Sequence, residues 1–258
     1  MPPPPPSPET GPARRERRSR PVRVAEAIKE WVVSQKLQDG DRLPGEAELI
    51  ARFGMAKSTI REAMRILEAQ GLIETRTGPG GGSFVGAVSA DRAKALLANY
   101  FYFQDLSVAD IYQLRRVLEP ELAASLAGRL SPEQLAALEA VTARYPAPAS
   151  TAEEERDQHV ASLAFHRKLA QFSQNSLLAF VVSFMARILT DLTVYRRLYD
   201  PPNRELYEKG LAYQTDLIAA LREGRAEDAR AIMRAHMETA EALMQRQEAQ
   251  VLRRFIAE

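Results

Sequence analysis

Residues 40–85, GDRLPGEAELIARFGMAKSTIREAMRILEAQGLIETRTGPGGGSFV, decide how this 258-residue chain folds. Gly40 and Pro44 mark a turn. GEAELIARFG reads as a short helix closed by Gly54. AKSTIREAMRILEAQG reads as a second helix, with Ser58 as its N-cap and Gly71 as its C-cap. Ile60, Ala63, Met64 and Leu67 form its core face. LIETRTGPGGGSFVGAV then predicts two short strands around a glycine-rich turn. Upstream, Val24, Ala27, Ile28, Trp31 and Val32 follow the spacing of an amphipathic helix. Three helices and a hairpin in this order describe a winged helix-turn-helix.

The second helix of such a pair enters the major groove of DNA with its N-terminal residues at base edges. The side chains here suit that task. Lys57, Arg61 and Arg65 recur every four residues, opposite Ile60, Met64 and Leu67. Ser58 and Thr59 add hydroxyls at the positively polarised helix start, where backbone amides favour phosphate. An arginine can fork onto guanine, and a lysine can reach guanine or phosphate. Gly78 and its neighbours let a wing backbone approach the duplex closely, with Arg76 placed to follow. A row of basic residues alone is more often a solvated face. GPGGGS is no P-loop, because no Gly-Lys-Ser/Thr follows it. The order of elements together with the charge is what points to DNA.

Charge is unevenly divided although the whole chain carries 35 basic and 34 acidic residues. Residues 1–88 sum to +3 and residues 89–258 to −2. Residues 1–12 hold seven prolines, followed by a cluster of Arg14, Arg15, Arg17, Arg18 and Arg20. Residues 1–20 therefore read as a disordered arm, either a weak phosphate binder or a solvated linker. Residues 21–88 form the small basic domain. Residues 89–258 read as seven helices, at 90–103, 107–128, 132–144, 152–173, 176–199, 203–223 and 225–250, without strand signals: an all-helical bundle. The fold class expected is mainly α. The chain has no cysteine, which removes disulfides, thiolate metal sites and cysteine nucleophiles. It has no run of about 18 uncharged apolar residues and no apolar leader, so a soluble cytoplasmic protein is expected.

Residues 24–85 resemble the DNA-binding domain of the GntR family of bacterial transcription regulators. Leu43-Pro44-x-Glu46, Phe53-Gly54, Ile60-Arg61-Glu62-Ala63-Met64, Gly71-Leu72-Ile73 and Phe84-Val85 carry the likeness. The resemblance implies DNA contacts from Lys57, Ser58, Thr59 and Arg61, and from Gly78 in the wing. Lys57 stands where the family usually has arginine, and a point charge replaces a fork. Ala47 stands where many members have arginine, which implies a changed half-site preference.

The remainder resembles the FCD effector-binding domain of the FadR-like branch. DIYQLRRVLEPELAASLAGR at 110–129, FHRKLAQFSQNSLL at 165–178 and LIAALREGRAEDARAIMRAHM at 217–237 carry that likeness. Many FCD domains hold a metal with one Asp and three His. Here His166 and His236 occupy two of those positions, while Ser162 and Gln214 occupy the Asp and middle His positions. Serine and glutamine are weak neutral ligands, so no divalent metal or other cofactor is expected. His159, seven residues before His166, could compensate. Arg115 corresponds to the family's pocket arginine and could grip a carboxylate bidentately. Its alternative is a salt bridge to Glu119, one turn along the same helix. Arg115, Ser162, His166, Asn175, Gln214 and His236 are the expected lining of a cavity for a small carboxylate or polar metabolite.

The reading is a ligand-responsive transcription regulator. Its partners are a double-stranded DNA operator with an inverted repeat, a small-molecule effector and a second copy of itself, with no membrane. Two rivals stand beside it. One is a helical metal-dependent enzyme using His166 and His236, which the absence of HExxH and GxSxG disfavours. The other is an architectural DNA binder without a ligand, which a solid apolar core in the helical domain would support.

Overall fold

The computed structural model describes residues 19–86, 89–104 and 106–257, with side chains given to Val251 except at Tyr102. The arginines at 14–18 and the domain boundary at 87–88 lie outside the described residues. The chain divides into two units, residues 1–93 and 94–258.

The first unit holds α1 (Arg20–Ser34), α2 (Glu46–Phe53), α3 (Lys57–Ala69), β1 (Ile73–Arg76) and β2 (Gly82–Val85). Arg20, assigned to the arm by sequence, already belongs to α1, with Pro21 in its first turn. A proline there has no amide to leave unpaired and a φ suited to the helix. Val24, Ala25 and Ile28 of α1, Leu49 of α2, Ile60, Ala63 and Leu67 of α3, and Ile73 of β1 form one apolar core. Met64 is only partly buried against it. Gly54 ends α2 in the left-handed conformation, at φ 61°, a position where a side chain would be strained. The strands pair antiparallel, Ile73 opposite Val85 and Arg76 opposite Gly82.

One local expectation is corrected. Ser58 does not cap α3. The helix begins a residue earlier at Lys57, and Ala56 is the N-cap, without a side-chain bond. Ala56 holds an extended conformation, and its carbonyl accepts from Thr59 and Ile60. No side chain therefore covers the first amides of α3, and Ser58 sits in the exposed first turn.

The division between the units falls within α4 (Ala90–Tyr102). The second unit continues with α5 (Val108–Leu126), α6 (Pro132–Thr142), α7 (Ala152–Gln171), α8 (Ser176–Tyr195), α9 (Arg204–Arg222) and α10 (Ala226–Ala257). Among the described residues both strands belong to the first unit. The mainly-α class, a winged helix-turn-helix followed by a helical bundle, is what the structure shows. Serine capping boxes open α5 (Ser107 with Asp110) and α6 (Ser131 with Gln134). Each satisfies two amides that the helix itself cannot. α5 packs against α10 and α8, and α10 also packs along α9. Leu122, Phe165, Leu169, Leu189, Leu217 and Met233 are among the core side chains at their junctions.

α8 stops four residues before the expected end at 199. Arg197 turns left-handed at φ 52°, and the amide of Leu198 returns to the carbonyl of Thr193. By length and composition α8 is apolar enough to cross a membrane, with a mean hydropathy of 1.8. It nevertheless carries Arg187 and Asp191, and Val182, Met185, Ala186 and Leu189 lie in the core of the bundle.

Candidate nucleic-acid interface and effector cavity

The reader face of the first unit is built on α3. Lys57, Arg61 and Arg65 are exposed along it, and in its first turn Ser58 is exposed and Thr59 half-buried. Glu46, at the start of α2, holds both leading cations. Its carboxylate accepts from Arg61 Nε at 2.8 Å and lies 3.3 Å from Lys57 Nζ. The Arg61 hydrogen bond lowers the Glu46 pKa; desolvation opposes it, and Lys57 adds to the lowering. Arg65 pairs with Glu62 at 3.5 Å. Sequence reading placed Glu46 in a motif but gave it no role. Its partners lie 11 and 15 residues away, beyond any helical repeat.

In the wing, the Arg76 guanidinium lies 4.6 Å from the Phe84 ring centroid and 3.4 Å from Glu74. Gly78 starts the tip at φ 94°, and its carbonyl accepts from the Gly81 amide at 2.8 Å. A Cβ at Gly81 would come within 2.6 Å of the Arg76 carbonyl, so the turn admits only glycine there. Arg42 braces the tip by donating to the Gly81 carbonyl at 2.8 Å. A depression between α3 and the wing is lined by Arg42, Arg61, Arg65 and Arg76, with Glu46 and Glu68. Of the predicted DNA residues, Arg61, Arg65 and Arg76 line this one depression, and each is paired with a carboxylate.

The second unit holds a partly open cavity of about 70 Å³. One water needs about 10–15 Å³ on the same measure, so the space suits a small molecule rather than a nucleotide. Arg115 of α5, Ser162 and His166 of α7, Gln214 of α9 and His236 of α10 all line it, as the sequence predicted. Asn175 does not. Its carboxamide oxygen caps α8, accepting from the amides of Leu177 and Leu178, and this employs the side chain at a helix start. His159 also faces the cavity, and its Nε2 lies 3.4 Å from Thr193 Oγ1.

Arg115 and Glu119 are both buried, at 1% and 0% exposure, and Arg115 Nε meets Glu119 Oε1 at 2.5 Å. The ion pair weighed as an alternative to ligand binding is therefore present. The other Glu119 oxygen takes His166 Nδ1 at 2.5 Å. His166 Nε2 in turn lies 3.3 Å from His236 Nε2, and the two rings stack. Burial works to raise the Glu119 pKa, but Arg115 and His166 overcome it and hold the carboxyl at about 2. Burial, joined by the charge of Arg115, lowers His159 to about 4. It also lowers His166 against the pull of Glu119, and His236 further still. With both rings neutral, His166 Nδ1–H donates to Glu119, and its Nε2 accepts from His236 Nε2–H.

These residues do not assemble the one-Asp, three-His metal set. Gln214 donates through Nε2 to Ser162 Oγ at 3.1 Å, so the two substituted positions satisfy each other. Glu119, the nearest carboxylate to the histidines, is engaged by Arg115 and His166. Among the described residues no three His, Cys, Asp or Glu side chains converge in a way that could hold a metal.

A basic winged helix followed by a helical unit with a small cavity bearing buried polar side chains is the architecture of a DNA-binding regulator with an effector domain. Residues 21–85 match the model for bacterial regulatory proteins of the gntR family, and residues 110–239 match the FCD domain. The chain belongs to the gntR family, as an FCD-type transcription regulator rather than an enzyme. It is 30% identical over 174 residues to the Glc operon transcriptional activator of Escherichia coli strain K12, covering 66% of this chain and 65% of that protein. It is 27% identical over 225 residues to the transcriptional repressor NanR of Salmonella schwarzengrund, covering 85% and 82%. Against the Uxu operon regulator of Haemophilus influenzae the identity is 21% over 218 residues, covering 84% and 79%. The solved structure of Streptococcus agalactiae GntR shares the fold, with a TM-score of 0.55 and 22% identity over 86% of this chain and 99% of that one.

Two predictions follow from this geometry. Arg61→Ala lowers operator affinity by roughly 1–3 kcal/mol, while Glu46→Gln frees both cations and raises affinity for non-specific duplex, most at low salt. Fluorescence anisotropy between about 50 and 200 mM salt measures both; operator affinity unchanged in Arg61→Ala excludes α3 as the reader. The second concerns acid stability. His159 titrates at 6.5 when unfolded and at about 4 when folded, so the unfolded chain binds the extra proton between those values. Stability therefore falls as pH drops through that window, by up to about 1.4 kcal/mol per pH unit for this one group. Chemical denaturation at stepped pH should show a shallower fall in His159→Gln, and an identical slope would refute a buried neutral His159.

Proposed function

We propose that this regulator binds a small carboxylate or similar polar metabolite in the α5–α7–α9–α10 cavity, without a metal, and alters its hold on an operator in response. The observation that carries the reading is a fully buried arginine in the wall of a small cavity. Arg115 is anchored through Nε to Glu119, so its guanidinium is pre-oriented, and an incoming carboxylate meets a charge that needs no reordering. The metal-free reading rests on the mutual bond of Ser162 and Gln214 and on the direct contact of His166 with His236. A cavity with Arg115, His166 and Gln214 in its wall also favours a ligand-responsive protein over an architectural DNA binder.

On this proposal the DNA-bound form is a homodimer in the bacterial cytoplasm, with one α3 for each half of an inverted repeat. Support comes from apolar side chains left exposed in the helical unit. Leu114 and Val117 lie one turn apart on α5, at 52% and 63% exposure, and Leu177 and Tyr195 are exposed at the two ends of α8. Apolar surface of this kind marks protein contacts. The ligand shifts operator occupancy only by its differential affinity for the two states, typically about 5–150-fold.

Calorimetric titration of lactate, malate, glycerate and succinate into wild type and Arg115→Lys tests the cavity. Lysine keeps the charge beside Glu119 and removes the fork, so acids that bind wild type should bind at least about tenfold more weakly. Undiminished affinity removes Arg115 from the role. Sedimentation equilibrium tests the dimer: the chain should run at twice its 28.8 kDa mass, and Leu114→Glu with Val117→Glu should halve it. A wild-type monomer at micromolar concentration defeats the dimer.

A further inference from the structure

Four arginines and two glutamates line the depression between α3 and the wing. Three of the arginines are answered by carboxylates. Arg61 bonds Glu46 at 2.8 Å, Arg65 meets Glu62 at 3.5 Å and Arg76 meets Glu74 at 3.4 Å. Arg42 is the exception. Its Nη2 donates to the Gly81 carbonyl at 2.8 Å, and among the described residues no carboxylate pairs with it. The nearby acids are engaged elsewhere. Asp41 accepts from the Gln38 amide at 2.7 Å, Glu46 is shared by Lys57 and Arg61, and Glu68 accepts from the Thr75 amide at 3.3 Å.

Arg42 is exposed, yet its guanidinium has a fixed seat. The backbone on either side is stitched to β2. The Leu43 amide donates to the Ser83 carbonyl and the Val85 amide to the Asp41 carbonyl, each at 2.8 Å. Arg42 itself lies opposite Phe84 in an antiparallel bridge. Its side chain runs along Gly82, where an added Cβ would come within 3.2 Å of Arg42 Nε and 3.3 Å of Nη2. Glycine at that position leaves room for a guanidinium lying against the wing. A guanidinium carries five N–H donors. The Gly81 carbonyl takes one of them, so the others can meet an acceptor from outside.

One sugar-phosphate strand separates the major groove of a duplex from the adjacent minor groove. A unit with α3 in the first and its wing tip at the second straddles that strand, and the depression between α3 and the wing faces it. We propose that Arg42 is a DNA-contact residue that holds a phosphate of this strand, while its bond to Gly81 keeps the wing in register with the contact. This rests on α3 being the reading helix. A phosphate fits Arg42 better than a base edge, because the residue stands on the turn before α2 and beside the wing, not on α3. Contacts of this kind fix register and carry no sequence information. Arg61 must give up Glu46 to meet the duplex, whereas Arg42 has no carboxylate to release.

The test uses full-length protein with a duplex that the wild type selects from a random-sequence library, and a scrambled duplex of the same composition. Arg42→Gln, checked for folding by circular dichroism, should weaken both duplexes by the same factor to within about twofold, and should reduce the slope of log affinity against log salt by about one per half-site. Arg42→Lys keeps the charge and should keep the wild-type slope. A loss confined to the selected duplex, an unchanged slope in folded Arg42→Gln, or a slope lost equally in Arg42→Lys overturns the proposal. Phenylglyoxal labelling of the wild type, read residue by residue by mass spectrometry, needs no variant, so misfolding of Arg42→Gln cannot shield the idea. Arg42 should react in the free protein and be protected by bound duplex. Arg42 left reactive while Arg61 is protected overturns the Arg42 role alone. Both left reactive with duplex bound overturns α3 as the reader as well.

Discussion

A carboxylate buried among helices must be answered by charge and hydrogen bonds, and Glu119 is that carboxylate here. Removing it from water costs several kcal/mol. The structure answers with Arg115 on the same helix and His166 on α7, and His166 extends the chain to His236 on α10. Three helices are thereby tied at one point, and the imidazoles are held neutral in fixed orientations. A buried ion pair of this sort contributes little net stability compared with apolar packing. Its effect is positional: it fixes a guanidinium and two rings in the wall of a cavity that would otherwise collapse or fill with side chains. Breaking it by removing one partner leaves the other charge stranded, so lysine rather than alanine is the informative replacement at Arg115.

The DNA-binding unit uses a related device at its surface. Glu46 sits between Lys57 and Arg61 and links α2 to α3 through exposed ion pairs. Exposed pairs of this kind contribute little to stability. They do hold two flexible side chains near the groove-facing end of α3, where the first amides carry no side-chain cap. On the proposed reading, duplex phosphates compete with this carboxylate for the same cations. The overall charge of +1 conceals this arrangement. What matters is that the basic surplus falls in residues 1–88 and the acidic surplus in the effector domain.

Local signals in the sequence were legible because they depend on neighbours within a turn. The glycine stop at Gly54 and the apolar repeat of α3 each act over three or four residues, and each appears where expected. The N-cap of α3 was misplaced because serine is a strong cap former, whereas the extended backbone at Ala56 starts the helix without one. Asn175 was misassigned for the converse reason: a polar residue beside a pocket motif was doing the work of a cap. Five of the six residues expected in the cavity wall do line it, and these were legible because helix spacing and family likeness converge on them. Arg42 was not, because its meaning depends on Gly81, which is 39 residues away in the wing. Only the folded chain shows which arginine of the depression lacks a carboxylate.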